Sequence, residues 1–213
     1  MDNKKGLIHC DVDQRSEEWL IARRGIATAS NFSKVITSQG KRSTQISTYA
    51  YELAADRFMD EIEENFQSHA MKRGEELEPV AKTFYEIHSG NDVTECGFYK
   101  TTLDDGSEIG CSPDGLIGED GLIEIKCPLK SQHMKNLTSD KLPTEYIAQV
   151  QGQLFIMDRK WCDFVSFNPS FKEGFQLKVF RVEKDLCFID FLKEHLLYLY
   201  LIKIKILNKI NDN

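Results

Sequence analysis

The order in which helical and strand-like patterns alternate predicts an α/β domain with a mixed central β-sheet flanked by helices. Three observations carry that expectation. Helix, strands, helix, strands and helix follow one another from residue 14 to residue 210, the order of a sheet covered on its faces. The chain has 213 residues, 41% hydrophobic and 29% charged, which suits one folded domain with a substantial core. The apolar run from Leu122 to Cys127 is interrupted only by Glu124 and Lys126, as in a buried strand with charge on one face.

The first helix is expected from Ser16, its N-cap, to Arg24, with Gly25 ending it. A second short helix, Asn31 to Ile36, has Ser30 as a natural N-cap, and Trp19 and Ile26 read as core. Residues 37–48 are polar and carry Lys41-Arg42 beside Gly40, a loop that either meets DNA or is only a solvated connection. Residues 49–64 form an amphipathic helix through Leu53, Ala54, Phe58 and Ile62. The helix of residues 70–90 buries Leu77, Val80, Ala81, Phe84 and His88, and Pro79 requires its first turn to lie nearby. Glu75 and Glu76 serve the dipole of that helix start, whereas Glu78 lies next to the buried stripe.

Residues 92–100 and Ser107 to Cys111 read as strands joined by the turn Asp104-Asp105-Gly106. Ser112 can close a turn ahead of Pro113. Cys127-Pro128 ends the Glu124 strand, since proline cannot donate to the ladder. Residues 129–142 are polar, with Lys130, His133 and Lys135 facing either DNA or water. The helix Thr144 to Met157 turns Tyr146, Ile147, Val150, Leu154 and Met157 inward and leaves Gln149, Gln151 and Gln153 as its polar set. Trp161 to Phe167 and Phe175 to Val182 are strands, and Lys184 to Ile210 is a helix packing on the sheet or on a neighbouring subunit. Lys193, Glu194, Lys203 and Lys205 interrupt that last helix far short of the roughly 20 apolar residues a membrane span needs.

The chemistry gathers in residues 110–128. In a strand Glu124 and Lys126 project to one side while Ile123 and Ile125 enter the core on the other. The turn at Pro113 and Gly115 returns Asp114 beside them. Two carboxylates so placed can hold a hard divalent cation such as Mg²⁺, with Mn²⁺ as a substitute, and Lys126 stands by as proton shuttle or charge stabiliser. A lone Glu-x-Lys is commonly a solvated surface pair. The preceding Ser-Pro-Asp-Gly turn is what changes that reading.

Ser-Pro-Asp-Gly at 112–115 followed by Glu-Ile-Lys-Cys-Pro at 124–128 resembles the restriction-endonuclease-like PD-(D/E)XK core, and in particular the phage lambda exonuclease and YqaJ-like viral recombinase family. Arg-Arg-Gly-Ile-Ala-Thr-Ala-Ser at 23–30, Arg-Gly-Glu-Glu-Leu-Glu at 73–78 and Tyr-Ile-Ala-Gln-Val-Gln at 146–151 match further elements of that family in its order. The resemblance covers about residues 14–182 of a single nuclease domain spanning 1–213, the C-terminal helix at about 184–210 lying outside it. It implies a Mg²⁺-dependent 5′→3′ exonuclease on double-stranded DNA ends, a ring-shaped homotrimer, and a single-strand annealing protein as partner. It implies metal ligation by Asp114, Glu124, the Ile125 carbonyl and Glu78, with Lys126 orienting or deprotonating the attacking water through a lowered pKa. It implies a terminal 5′-phosphate held by Arg23, Ser30, Ser112 and Gln149, with Gln151 second to Gln149. An endonuclease on the same core, or a catalytically idle end-binding subunit, are the rival expectations.

Net charge is −7, from 27 basic and 34 acidic residues. Such a chain is a poor passive DNA coat, so DNA binding would need a local basic surface and the metal. The six cysteines form no Cys-x-x-Cys pair, which argues against zinc or iron–sulfur ligation. The N-terminal Met-Asp-Asn-Lys-Lys-Gly has no apolar signal region, and a reducing cytoplasm is the expected location.

Overall fold

The computed structural model describes residues 5–60 and 69–212. The strands assort into two four-stranded mixed sheets. One has the order β1 (Lys5–Cys10), β3 (Phe98–Thr102), β4 (Glu108–Cys111), β2 (Ala27–Thr28), with only β2–β4 parallel. The other runs β5 (Gly115–Ile117), β6 (Gly121–Lys126), β7 (Trp161–Phe167), β8 (Leu177–Glu183), with only β6–β7 parallel. A parallel pair needs a crossover. Here α4 (Lys130–Leu137) and α5 (Ile147–Met157) supply it.

Strand alternation decides which face of β6 carries the chemistry. Ile123 and Ile125 join Val165 and Phe167 of β7 in a core with Ala81 and Tyr85 of α3 (His69–Ser89). Leu122 faces the other core, built with α5, α2 (Ile46–Ala55) and α6 (Leu186–Asn211). Glu124 follows two positions later on that second side, 1% exposed against α5. On α5, Gly152 lets the helix approach the 3₁₀ segment Ala29–Lys34, since a Cβ there would lie 2.3 Å from the Phe32 ring. That close approach brings the Arg23–Ser30 segment alongside the face of α5 that carries Gln149 and Gln153.

Several expectations shift. The N-terminal strand β1 was not foreseen, and the 92–100 strand narrows to β3, Thr94 making only an isolated bridge to Leu116. Ser30 does not cap a helix. The segment is 3₁₀, Thr28 precedes it without a side-chain cap, and the Ser30 hydroxyl is engaged by Arg23 instead. The 49–64 helix is observed as α2, Phe58 is 52% exposed beyond its end, and Ile62 lies outside the described residues. Pro79 sits inside α3 rather than near its first turn. Among the described side chains of that helix only Ala81 and Tyr85 are well buried, and the Tyr85 hydroxyl reaches buried Asp163 at 2.5 Å. Val80, Phe84 and His88 are exposed.

The polar stretch after Pro128 folds as α4. His133 faces neither DNA nor water: it is fully buried, 2.9 Å from both the Ser166 hydroxyl and the Phe175 carbonyl. The 37–48 loop is closed on α6, with Arg42 stacked 3.7 Å over Tyr198. That helix packs within the chain against α2 and α5, and Asp185 caps it by accepting from the Phe188 amide. No helix among the described residues is long and apolar enough to cross a membrane.

Candidate active site

Three side chains, one from β6 and two from α5, converge on Glu124. Its Oε1 accepts from Lys126 Nζ at 2.5 Å and from Gln149 Nε2 at 2.6 Å, and its Oε2 accepts from Gln153 Nε2 at 2.6 Å. Gln149 and Gln153 are four residues apart on α5 and so share one face. Gln151 points the other way. Its amide bridges the Glu183 carbonyl and the Asp185 N–H at the β8–α6 junction, so the structure does not bring it to the site.

Asp114 enters from the turn before β5, its Oδ2 accepting from the Ile125 N–H at 2.6 Å. Burial, then the charges of Glu124 and Glu78, push its carboxyl well above the ordinary range against the opposing pull of Lys126. The site therefore favours added positive charge. Burial would lower the Lys126 ammonium, yet Glu124 and Asp114 outweigh it and hold the lysine above its ordinary value, against the lowered pKa that a base would need. In this arrangement Lys126 is a cation donating to Glu124.

Asp114, Glu124 and Glu78 offer hard oxygen donors. Among the described residues no three His, Cys, Asp or Glu side chains form a ready cage, and Glu78 is engaged by Arg15 at 2.5 Å. Mg²⁺ is commonly held by one or two carboxylates together with waters and substrate phosphates. The pair Asp114 and Glu124, with its raised carboxyl, fits that kind of ion. Ile125 reaches the cluster through its N–H.

Beside the carboxylates opens a small cleft lined by Trp19, Arg23, Thr28, Ser30, Ser112, Gln149 and Gln153 among others. Arg23 stacks 3.7 Å over the Trp19 ring and donates to Ser30 Oγ at 3.2 Å and Thr28 Oγ1 at 3.4 Å. No carboxylate pairs with it among the described residues, and burial draws it down to about 10. The neighbouring Arg24 turns away to the Met59 carbonyl. Trp19, expected in the core, is half-exposed and donates from Nε1 to Ser112 Oγ at 2.9 Å. Gln149 touches both regions, lining the cleft and bonding Glu124.

A model of the YqaJ-like viral recombinase domain matches residues 18–160. The chain belongs to the YqaJ-like viral recombinase family. The fold of this family member is similar to that of the alkaline exonuclease LHK-Exo from Laribacter hongkongensis, at 34% identity and TM-score 0.80, covering 92% of this chain and 97% of that one. The same enzyme in complex with dAMP matches at 35% identity and TM-score 0.81 over the same shares of the two chains. A phage-related exonuclease from Haemophilus somnus shares the fold at TM-score 0.65 and 15% identity, over 87% of this chain and 96% of that one. An uncharacterized protein of Acanthamoeba polyphaga mimivirus is 26% identical over 167 residues, 72% of this chain. The chain spans 29% of the length of that curated relative.

Of the residues singled out in the sequence, the structure gathers Asp114, Glu124, Ile125, Lys126, Glu78, Arg23, Ser30, Ser112 and Gln149 around these two adjoining regions. Gln153, Trp19, Thr28 and Arg15 complete them and were missed. The four-residue spacing of Gln149 and Gln153 was the available signal for the first; the others carry no mark beyond being polar or aromatic near a helix start.

Proposed function

We propose that the chain is a Mg²⁺-dependent 5′→3′ exonuclease that digests one strand of linear duplex DNA from a 5′-phosphorylated end. It releases mononucleotides and leaves a 3′ overhang for recombination. Family membership and the similarity to an alkaline exonuclease make the chain a deoxyribonuclease. The observation that carries the finer reading is the adjacency of an unpaired guanidinium cleft and a carboxylate cluster, linked by Gln149. A terminal phosphate in the cleft would present the next phosphodiester to the carboxylates.

On this reading Arg23, Ser30 and Ser112 bind the terminal phosphate, Trp19 holding Ser112 in line, and so set a step of one nucleotide. A divalent cation on Asp114, Glu124 and Glu78 would supply a water of lowered pKa and neutralise charge at the phosphorus. Gln149 and Gln153 fix the Glu124 carboxylate, and Lys126 contributes its charge beside the scissile phosphate. Mn²⁺ would serve in place of Mg²⁺. We further propose one nuclease domain, a homotrimer acting on duplex ends, a single-strand annealing partner, and a reducing cytoplasm suited to six free cysteines.

The test is end-labelled linear duplex incubated with Mg²⁺ and either the intact chain or Lys126→Ala. Release of 5′-strand mononucleotides, lost in the variant, is expected. Internal cuts, or binding without cleavage by either protein, would refute the reading.

A further inference from the structure

Besides Lys126, a second cation, Arg15, stands against these carboxylates from the loop before the first helix. Arg15 Nη2 donates to Glu78 Oε2 at 2.5 Å, and its Nε lies 3.5 Å from Glu75 Oε1. Burial opposes its charge, but Glu78, Glu75 and Asp114 together outweigh burial and keep it protonated. The loop that carries it is pinned beside Asp114: Gln14 Nε2 donates to the Pro113 carbonyl at 2.9 Å and the Cys96 carbonyl at 3.1 Å. Ser16 follows at once as the cap of α1 (Glu17–Arg23). Arg15 itself has φ +73°, in the left-handed region.

That backbone is the telling feature. Glycine would adopt it freely, and an arginine there carries strain. The ion pairs it gains are those of a side chain 43% exposed, where such pairs return little stability. The position is therefore poorly explained as a device for holding the fold together. Its guanidinium is aimed at Glu78, a carboxylate that a cation would need released, and its planar fork suits phosphate as well as carboxylate.

We infer that Arg15 is a phosphate-binding residue held in reserve on Glu78. The inference rests on the reading of this site as a cation-dependent nuclease. When a divalent cation takes Glu78, the guanidinium passes to a non-bridging oxygen of the DNA phosphate at the same carboxylates. No charge is left over: Glu78 exchanges Arg15 for the cation, and Arg15 exchanges Glu78 for the phosphate. Cation and DNA end then bind cooperatively, each removing a competitor of the other.

The experiment compares the full chain with Arg15→Gly and Arg15→Gln, without relying on turnover. Mn²⁺ binding in the absence of DNA is followed by electron paramagnetic resonance. Both variants are expected to bind it roughly threefold to fivefold more tightly, the value of one exposed ion pair. Affinity for a 5′-phosphorylated duplex end is measured with Ca²⁺ present. There the variants are expected to be roughly tenfold weaker and to lose most of the dependence of end binding on the cation. Arg15→Gly should melt at or above the temperature of the parent, because the left-handed residue is relieved, which excludes misfolding as the cause. Unchanged Mn²⁺ affinity in both variants, or unchanged end affinity, would overturn the inference while the parent still cleaves. A parent that neither binds Mn²⁺ nor cleaves with Mg²⁺ would instead remove the nuclease reading and the Arg15 assignment with it.

Discussion

Replacing Arg23 by methionine separates what the residue does for the fold from what it does for the substrate. Among the described residues no carboxylate answers the guanidinium, and burial draws it down to about 10. At about 1.4 kcal/mol per pKa unit the penalty is roughly 3 kcal/mol. A lowered pKa on a basic group marks a cation that the fold disfavours, so the penalty is present throughout the neutral range and fades only as pH rises past about 10. Methionine keeps the contact with Trp19 but forgoes the cation–π attraction, about 0.5–1 kcal/mol, and the bonds to Ser30 and Thr28, about 1 kcal/mol. The variant should be more stable by about 1 kcal/mol, or about 2–4 °C in melting temperature for a domain of this size. Function should move the other way. A charge-assisted contact to phosphate is worth about 2–3 kcal/mol, so the preference for a 5′-phosphate over a 5′-hydroxyl end should fall roughly 30- to 150-fold. Differential scanning calorimetry and parallel digestion of the two ends read both quantities. A variant that melts lower by 1 kcal/mol or more, or that keeps the preference, would refute the argument.

Asp114→Asn should abolish cleavage yet stabilise the chain at neutral pH. The folded carboxyl lies above its unfolded value, so the parent is most stable below the ordinary carboxylate pKa of 3.8 and loses that advantage as pH rises through the folded value; melting curves from pH 4 to 8 should show the parent falling relative to the variant. Gln151→Leu strands the Glu183 carbonyl and the Asp185 N–H and should cost about 2 kcal/mol in denaturant unfolding, with the end preference unchanged. Pro79→Ala restores an N–H to the interior of α3 and should stabilise by about 1–3 kcal/mol in the same measurement; no gain would mean that the helix is already broken there.

The centre of the site was legible because strand geometry is strict. Alternation alone puts Glu124 and Lys126 on one face and Ile123 and Ile125 on the other, and the turn at Pro113 can only return Asp114 nearby. Helix periodicity was equally strict on α5, where it separates Gln149 from Gln151 and joins it to Gln153; matching a motif by letter gave Gln151 a rank that the 3.6-residue turn does not support. Other residues depend on partners far along the chain. His133 is buried because its ring donates to the Phe175 carbonyl and pairs with the Ser166 hydroxyl, and nothing in residues 129–142 specifies either. Arg15 precedes a cap and reads as a turn residue until α3 brings Glu75 and Glu78 to it. The division of the strands into two sheets rests likewise on non-local pairing: β1 joins β3 across most of the first hundred residues.

The two unfavourable electrostatic sites of the free chain are complementary to one ligand. Arg23 is a cation short of an anion, and Asp114 with Glu124 is a pair of carboxylates sharing the single charge of Lys126. They adjoin through Gln149. Neither can be relieved by the other, because the fold holds each group in its own set of hydrogen bonds. On the proposed function, a 5′-phosphorylated end with a divalent ion relieves both at once, the terminal phosphate at Arg23 and the ion at the carboxylates. This explains how a chain of net charge −7 can engage DNA without a broad basic coat. Binding would be concentrated at the end, contingent on the cation, and only shallowly dependent on monovalent salt, since few phosphates are neutralised by lysine or arginine. A steep salt dependence, equal on ends and on closed circles, would contradict that economy of contacts.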